Sequence, residues 1–112
     1  MTKINAFKKD KYKSVRGGHS RLLNLHCRKC DTVFAEYQKD GPGNLRRLYM
    51  DRILAPERLV GFQKKNIKDI SPLRCPKCNY IVGMPYIYKK ENRKAFRVFQ
   101  DALVKRIQKL KP

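Results

Sequence analysis

The sequence predicts a small α+β domain: cysteine-stapled β-hairpins, a basic N-terminal arm and a C-terminal amphipathic helix. Three observations predict it. Two CxxC pairs, Cys27-x2-Cys30 and Cys75-x2-Cys78, account for all four cysteines. Within residues 91–110, Phe96, Phe99, Leu103, Ile107 and Leu110 fall three to four apart, as on a helical stripe. Finally, the 112 residues hold 28 Lys and Arg against 9 Asp and Glu, a net charge of +19. A single domain of this size that repels itself has little core to spare, so something besides packing must help it fold.

Taken in order, residues 1–20 form the arm. Phe7 and Tyr12 lie among Lys3, Lys8, Lys9, Lys11, Lys13 and Arg16 without strand or helix periodicity, and Gly17-Gly18 breaks the chain. Residues 21–88 form the cysteine-bearing domain. Its first strand is 22–26, and a second covers 31–37, where Val33, Phe34 and Tyr37 supply β-branched and aromatic content. Asp31 directly follows the first cysteine pair, at a tight turn where Asp and Asn tolerate left-handed backbone. Asn44 can cap a helix over 45–54, with Leu45, Leu48, Tyr49 and Ile53 recurring at i, i+3, i+4 and i+8; a short strand is the alternative. Pro56 ends that element either way. A short strand over 59–62 and a basic loop over 63–71 follow. Residues 73–84 repeat the first pattern, with Asn79 where Asp31 stood, and 84–88 extend the strand. Residues 89–112 are the amphipathic helix, with Arg93, Lys94, Arg97, Lys105 and Lys109 mostly opposite its apolar stripe.

A CxxC places two sulfurs on one tight turn, so two pairs supply the four corners of a tetrahedron. A closed site of four thiolates suits one structural zinc, bound by Cys27, Cys30, Cys75 and Cys78, with no position left open for substrate. The alternatives are two local disulfides, strained and unsuited to a reducing compartment, or a redox CxxC, which lacks its βαβ setting here. His26 abuts Cys27 and is an awkward substitute ligand. The 44 residues between the pairs exceed the 15–20 of a compact metal ribbon, so they form an insertion of their own.

The knuckles CRKC and CPKC, each opening a hairpin, resemble those of the zinc-ribbon superfamily, common in ribosomal proteins and transcription factors. The resemblance covers residues 22–37 and 73–84, and only the four cysteines carry over. The long separation is also similar to that of β-tent zinc domains, such as the Yippee-like and type B methionine sulfoxide reductase families. Catalysis in the latter requires a further cysteine, which this chain lacks, so that activity is not expected.

Charge points to the partner. Net charge is +5 over 1–20, +7 over 21–88 and +7 over 89–112, so no segment neutralises another. Solubility asks for only about 2–8 charges on a small domain. The excess fits a polyanion, and the expected phosphate contacts are Lys8, Lys9, Lys11, Lys13, Arg16, Arg46, Arg47, Lys64, Lys65, Arg93, Lys94 and Arg97. RNA, ribosomal RNA above all, is the expected partner of a non-catalytic ribosomal or ribosome-associated protein. A DNA-binding or transcription-complex accessory is the second reading. The third is an adaptor docking a neighbouring protein through Phe96, Phe99, Leu103 and Ile107. An anionic membrane would need the C-terminal segment as a basic amphipathic helix, and no membrane partner is expected. No small-molecule substrate is expected either, since no GxSxG, Walker or HExxH arrangement occurs. With no apolar run near 20 residues and no signal-peptide stretch at the start, the expected location is cytoplasmic.

Overall fold

A computed structural model describes residues 20–41 and 44–108. The predicted arm, apart from Ser20, lies outside the described residues, as do Lys109 and Leu110.

The cysteine-flanking segments are strands, as expected. Strand β1 (Ser20–Cys27) pairs antiparallel with β2 (Val33–Asp40), Leu23 opposite Tyr37 and Leu25 opposite Ala35. Their apolar residues alternate: Leu23, Leu25 and Cys27 all point into the core and are at most 2% exposed. The helix expected over 45–54 is instead β3 (Arg47–Tyr49), a 3-10 turn (Met50–Arg52) and β4 (Ile53–Ala55). The strand expected over 59–62 is absent. Three further 3-10 turns (Glu57–Leu59, Phe62–Lys64 and Ile67–Asp69) fill the crossover, and Gly61 takes a positive φ between the first two. Then come β5 (Leu73–Arg74) and the long β6 (Ile81–Tyr88).

The C-terminal helix does not exist, and the fold is mostly β rather than α+β; among the described residues there is no α-helix. Residues 93–107 form β7 (Arg93–Val98) and β8 (Leu103–Ile107). Two turns explain the difference. Asn92 (φ 50°) closes the β6–β7 hairpin, and Asp101 (φ 59°) turns the chain between β7 and β8. Left-handed residues at both places stop a helix, and Val98, Val104 and Ile107 favour extended backbone. The supposed stripe is scattered accordingly: Phe96 is fully buried while Phe99 and Ile107 are exposed. The adaptor and membrane readings lose the helical face they required.

Two four-stranded antiparallel sheets result, ordered β4-β2-β1-β8 and β3-β7-β6-β5. The chain changes sheet four times: between β2 and β3, between β3 and β4 through one 3-10 turn, between β4 and β5, and between β7 and β8. Side chains of both sheets meet in a single core: Leu23, Leu25, Phe34 and Tyr37 from the first, and Leu48, Leu73, Val82 and Phe96 from the second. Gly83 allows β6 and β7 to close up, because a Cβ there would stand 2.6 Å from the Arg97 carbonyl oxygen. The crossover covers the second sheet, with Phe62 against Phe96 at 6.3 Å.

The sheets are also tied by polar groups. Tyr37 of β2 accepts the Tyr49 N–H of β3 at 2.8 Å, and burial pushes its phenol well above the ordinary tyrosine range. Arg52, with 1% of its side chain exposed, donates to Asp40 Oδ2 at 2.8 Å. Ser20 and Gln38 donate to the other carboxylate oxygen of Asp40, at 2.6 and 2.9 Å. Desolvation raises the Asp40 pKa, but these three donors outweigh it and hold the carboxyl below its usual range. A depressed folded-state value contributes stability above the unfolded value of about 3.9, and that contribution is lost as pH falls through the folded value. Asp40→Asn takes the nearest carboxylate from a buried guanidinium and is expected to cost roughly 3 kcal/mol at neutral pH. Its melting temperature should also vary less than the parent's below about pH 4. Equal melting of the two chains at neutral pH would refute this role for the pair.

Candidate metal centre

Both cysteine turns have the same backbone construction. In the first, the Cys27 N–H donates to the Thr32 carbonyl and the Asp31 N–H to the Cys27 carbonyl, each at 2.8 Å. In the second, the Cys75 N–H donates to the Tyr80 carbonyl and the Asn79 N–H to the Cys75 carbonyl, each at 2.9 Å. The sharp return places Asp31 at φ 62° and Asn79 at φ 65°, the left-handed region expected from their sequence positions. Strand β1 delivers one turn from the first sheet, and β5 delivers the other from the second.

The four sulfurs lie within 4.8 Å of one another. Cys27 Sγ is 3.6 Å from Cys78 Sγ, and Cys30 Sγ is 3.5 Å from Cys75 Sγ. Each close pair therefore takes one sulfur from each turn. Disulfide sulfurs would stand about 2.05 Å apart, and all four cysteines are free thiols. A tetrahedron with bonds of about 2.3 Å has edges of about 3.8 Å, close to what is seen. The cluster can hold a metal ion, and its all-sulfur donor set fits zinc. Cys27 and Cys75 are buried in the core, whereas Cys78 is exposed at the rim.

Crowded thiols share protons unevenly. Hydrogen bonds from Thr32 hold Cys30 down at about 6. At Cys78 the Tyr80 amide favours the thiolate, but desolvation and the three neighbouring thiols prevail and push it up to about 12. His26 is no ligand. Its Nδ1 donates to the Asp31 carbonyl at 3.0 Å and lies 3.3 Å from the Asp31 carboxylate, bracing the first turn.

The predicted phosphate contacts divide three ways. Arg46, Arg47 and Arg97 line one groove of about 900 Å3 between β3 and β7 on one side and β8 on the other. Lys64 and Lys65 are exposed on the crossover, and Lys94 donates to the carbonyls of Gln63 and Lys65 there. Arg93 is corrected to an internal role. With 4% of its side chain exposed, it makes a bidentate pair with Asp51 at 2.6 and 3.2 Å and a further bond to Glu91 at 2.9 Å. Its guanidinium also lies 3.7 Å over the Tyr49 ring. Lys8, Lys9, Lys11, Lys13 and Arg16 lie outside the described residues. Sequence reasoning missed Arg28 and Lys105 as groove residues; they come together only once β8 pairs with β1.

Comparison with family models, with characterised proteins and with solved structures finds no match in any of the three. Among the described residues, no helix is long and apolar enough to cross a membrane.

If the sulfurs ligate together, Cys75→Ser should bind metal far more weakly and lose a well-dispersed NMR spectrum, whereas His26→Ala should retain its metal. Elemental analysis beside the spectra reads both. A Cys75→Ser chain with full metal content would show that the cluster is not the site. Acid should also strip the metal, because only deprotonated thiols are ligands.

Proposed function

We propose that this is a non-catalytic RNA-binding protein, stapled by one structural zinc and most economically placed as a ribosomal or ribosome-associated component. The observation that carries the reading is the division of charge. Asp40, Asp51 and Glu91 are engaged by Arg52 and Arg93, while most of the remaining cations among the described residues, including Arg28, Arg46, Arg58, Lys64, Lys65 and Arg97, are exposed. The described surface is therefore strongly basic, and such a surface attracts polyanions over a Debye length of about 8–10 Å.

Zinc provides what the core cannot. Binding to four thiolates contributes roughly 10–16 kcal/mol of apparent free energy, against about 5–15 kcal/mol for the whole stability of an ordinary domain. A scaffold held this way can tolerate surface repulsion and leave the cations to phosphates, with little reading of base edges.

Affinity for structured RNA should fall with log salt at about −0.7 to −0.9 per phosphate contact. Six or more contacts would weaken binding on the order of a thousandfold between about 50 and 200 mM salt. Excess duplex DNA should displace little of the RNA complex. Effective displacement by DNA would move the protein to a transcription-complex role, and a flat salt profile would leave the charge as solvation alone.

A further inference from the structure

We infer that the groove between the two sheets takes an unpaired stretch of RNA, with Phe99 as its stacking platform and Arg46, Arg47 and Arg97 on its phosphates. The inference rests on the RNA-binding reading and says where and in what form the strand is held.

The groove is chemically lopsided. Arg28, Arg46, Arg47, Arg97 and Lys105 line it against one carboxylate, Asp101. Arg28, Arg46 and Arg97 are exposed and make no ion pair with the described residues. Two of the arginines are also positioned in advance. Arg47 Nε donates to the Tyr86 hydroxyl at 3.0 Å while its guanidinium lies 3.9 Å over the Tyr88 ring. Arg97 sits over the other side of this arrangement, 5.0 Å from the centre of the Tyr86 ring. Tyrosine faces thus hold the guanidinium planes in place and offset part of their mutual repulsion. At about 900 Å3 the groove lies at the top of the range for ligand clefts, roughly 300–1,000 Å3.

Phe99 gives the occupant its class. It is 43% exposed although apolar, and it lines a basic groove. Its backbone is fixed on both sides: the Phe99 N–H donates to the Val82 carbonyl at 2.9 Å, and its own carbonyl accepts the Ala102 N–H at 3.1 Å. The turn is tied in its place by the Arg28 N–H, which donates to the Ala102 carbonyl at 3.1 Å. An exposed ring on anchored backbone among arginines is an arrangement that suits single strands, because bases stack on the ring while cations follow the backbone. In a duplex the base faces are hidden, so the ring would be idle. An acidic peptide would satisfy the arginines but has no use for the flat ring.

The test uses the full metal-loaded chain, with anisotropy of a labelled oligouridine and of an RNA duplex of equal length. Phe99→Ala should weaken oligouridine binding on the order of tenfold and leave duplex binding unchanged, and Phe99→Trp should restore it. Arg97→Ala should reduce the salt slope on oligouridine by about 0.7. Lys89→Ala, at the β6–β7 turn outside the groove, serves as the charge control and should lose less than Arg97→Ala. Zinc content and melting temperature should be unchanged in all four. If the parent binds neither RNA, the RNA-binding reading itself fails. If it binds RNA but Phe99→Ala and Arg97→Ala behave like Lys89→Ala, the groove assignment is overturned while that reading stands. Tighter duplex binding that is equally lost in Phe99→Ala would overturn the unpaired strand.

Discussion

The rest of the structure depends on four sulfurs that close one end of the core by drawing the two sheets together. Cys27 ends β1 in the first sheet and Cys75 follows β5 in the second, and both are at most 1% exposed within the shared core. The pairing across the cluster, Cys27 with Cys78 and Cys30 with Cys75, links the turns instead of closing each on itself. In a chain of net charge +19, a metal ion bridging the four sulfurs would oppose the repulsion between the sheets. A metal with four thiolates would add local negative charge beside Arg28, Lys29, Arg74 and Lys77. The geometry also reaches outward. Cys27 lies opposite Leu103 in the β1–β8 pairing, and Arg28 holds Ala102, so the first turn sets the position of the loop that carries Phe99.

At the junction of the sheets, charge is handled by enclosure. Arg52 and Arg93 are almost fully buried, and each meets carboxylates at hydrogen-bond distance: Asp40 for the first, Asp51 and Glu91 for the second. Removing one partner from such a pair costs far more than the intact pair contributes over an apolar replacement. The pairs therefore act as constraints on how the sheets meet. They take three carboxylates inward together with two arginines, so the balance of charge left outside shifts by only one.

Much of the metal centre was legible because its determinants are local. Two cysteines three apart, followed by Asp31 or Asn79, specify a tight turn with one left-handed residue, and both turns have it. Strands β2 and β6 were legible for a similar reason, through β-branched and aromatic content, and β1 as the extended run leading into the first cysteine pair. The C-terminal segment was misread because a spacing of three and four also occurs by chance when two strands flank a turn. Phe96 is buried within β7 while Phe99 is exposed just past its end, and neither belongs to a helical face. The informative residues were Asn92 and Asp101, whose left-handed turns interrupt the pattern. Residues 45–54 fared likewise, since a strand of three residues is too short to show a period. The groove was legible only in part. Arg46, Arg47 and Arg97 were expected to bind phosphate, but Arg28 and Lys105 join them only through pairing between distant strands, and nothing local marks Arg93 as internal.

The groove and the cysteine cluster are joined by covalent structure as well as by charge. Arg28 lies between two of the clustered cysteines, Cys27 and Cys30, with its N–H on the Phe99 loop and its side chain in the groove lining. Arg46 likewise accepts the Val98 N–H at its carbonyl, fixing the other wall against β7. Groups held by backbone bonds lose little freedom when a ligand arrives, so more of their attraction appears as affinity. A flexible basic tail of equal charge must give up conformational entropy to make the same contacts. If the protein binds RNA as proposed, the groove cations, few beside the whole charge, would be the ones able to distinguish one form of nucleic acid from another. The remaining surface charge raises the rate of encounter and the salt dependence for any polyanion alike.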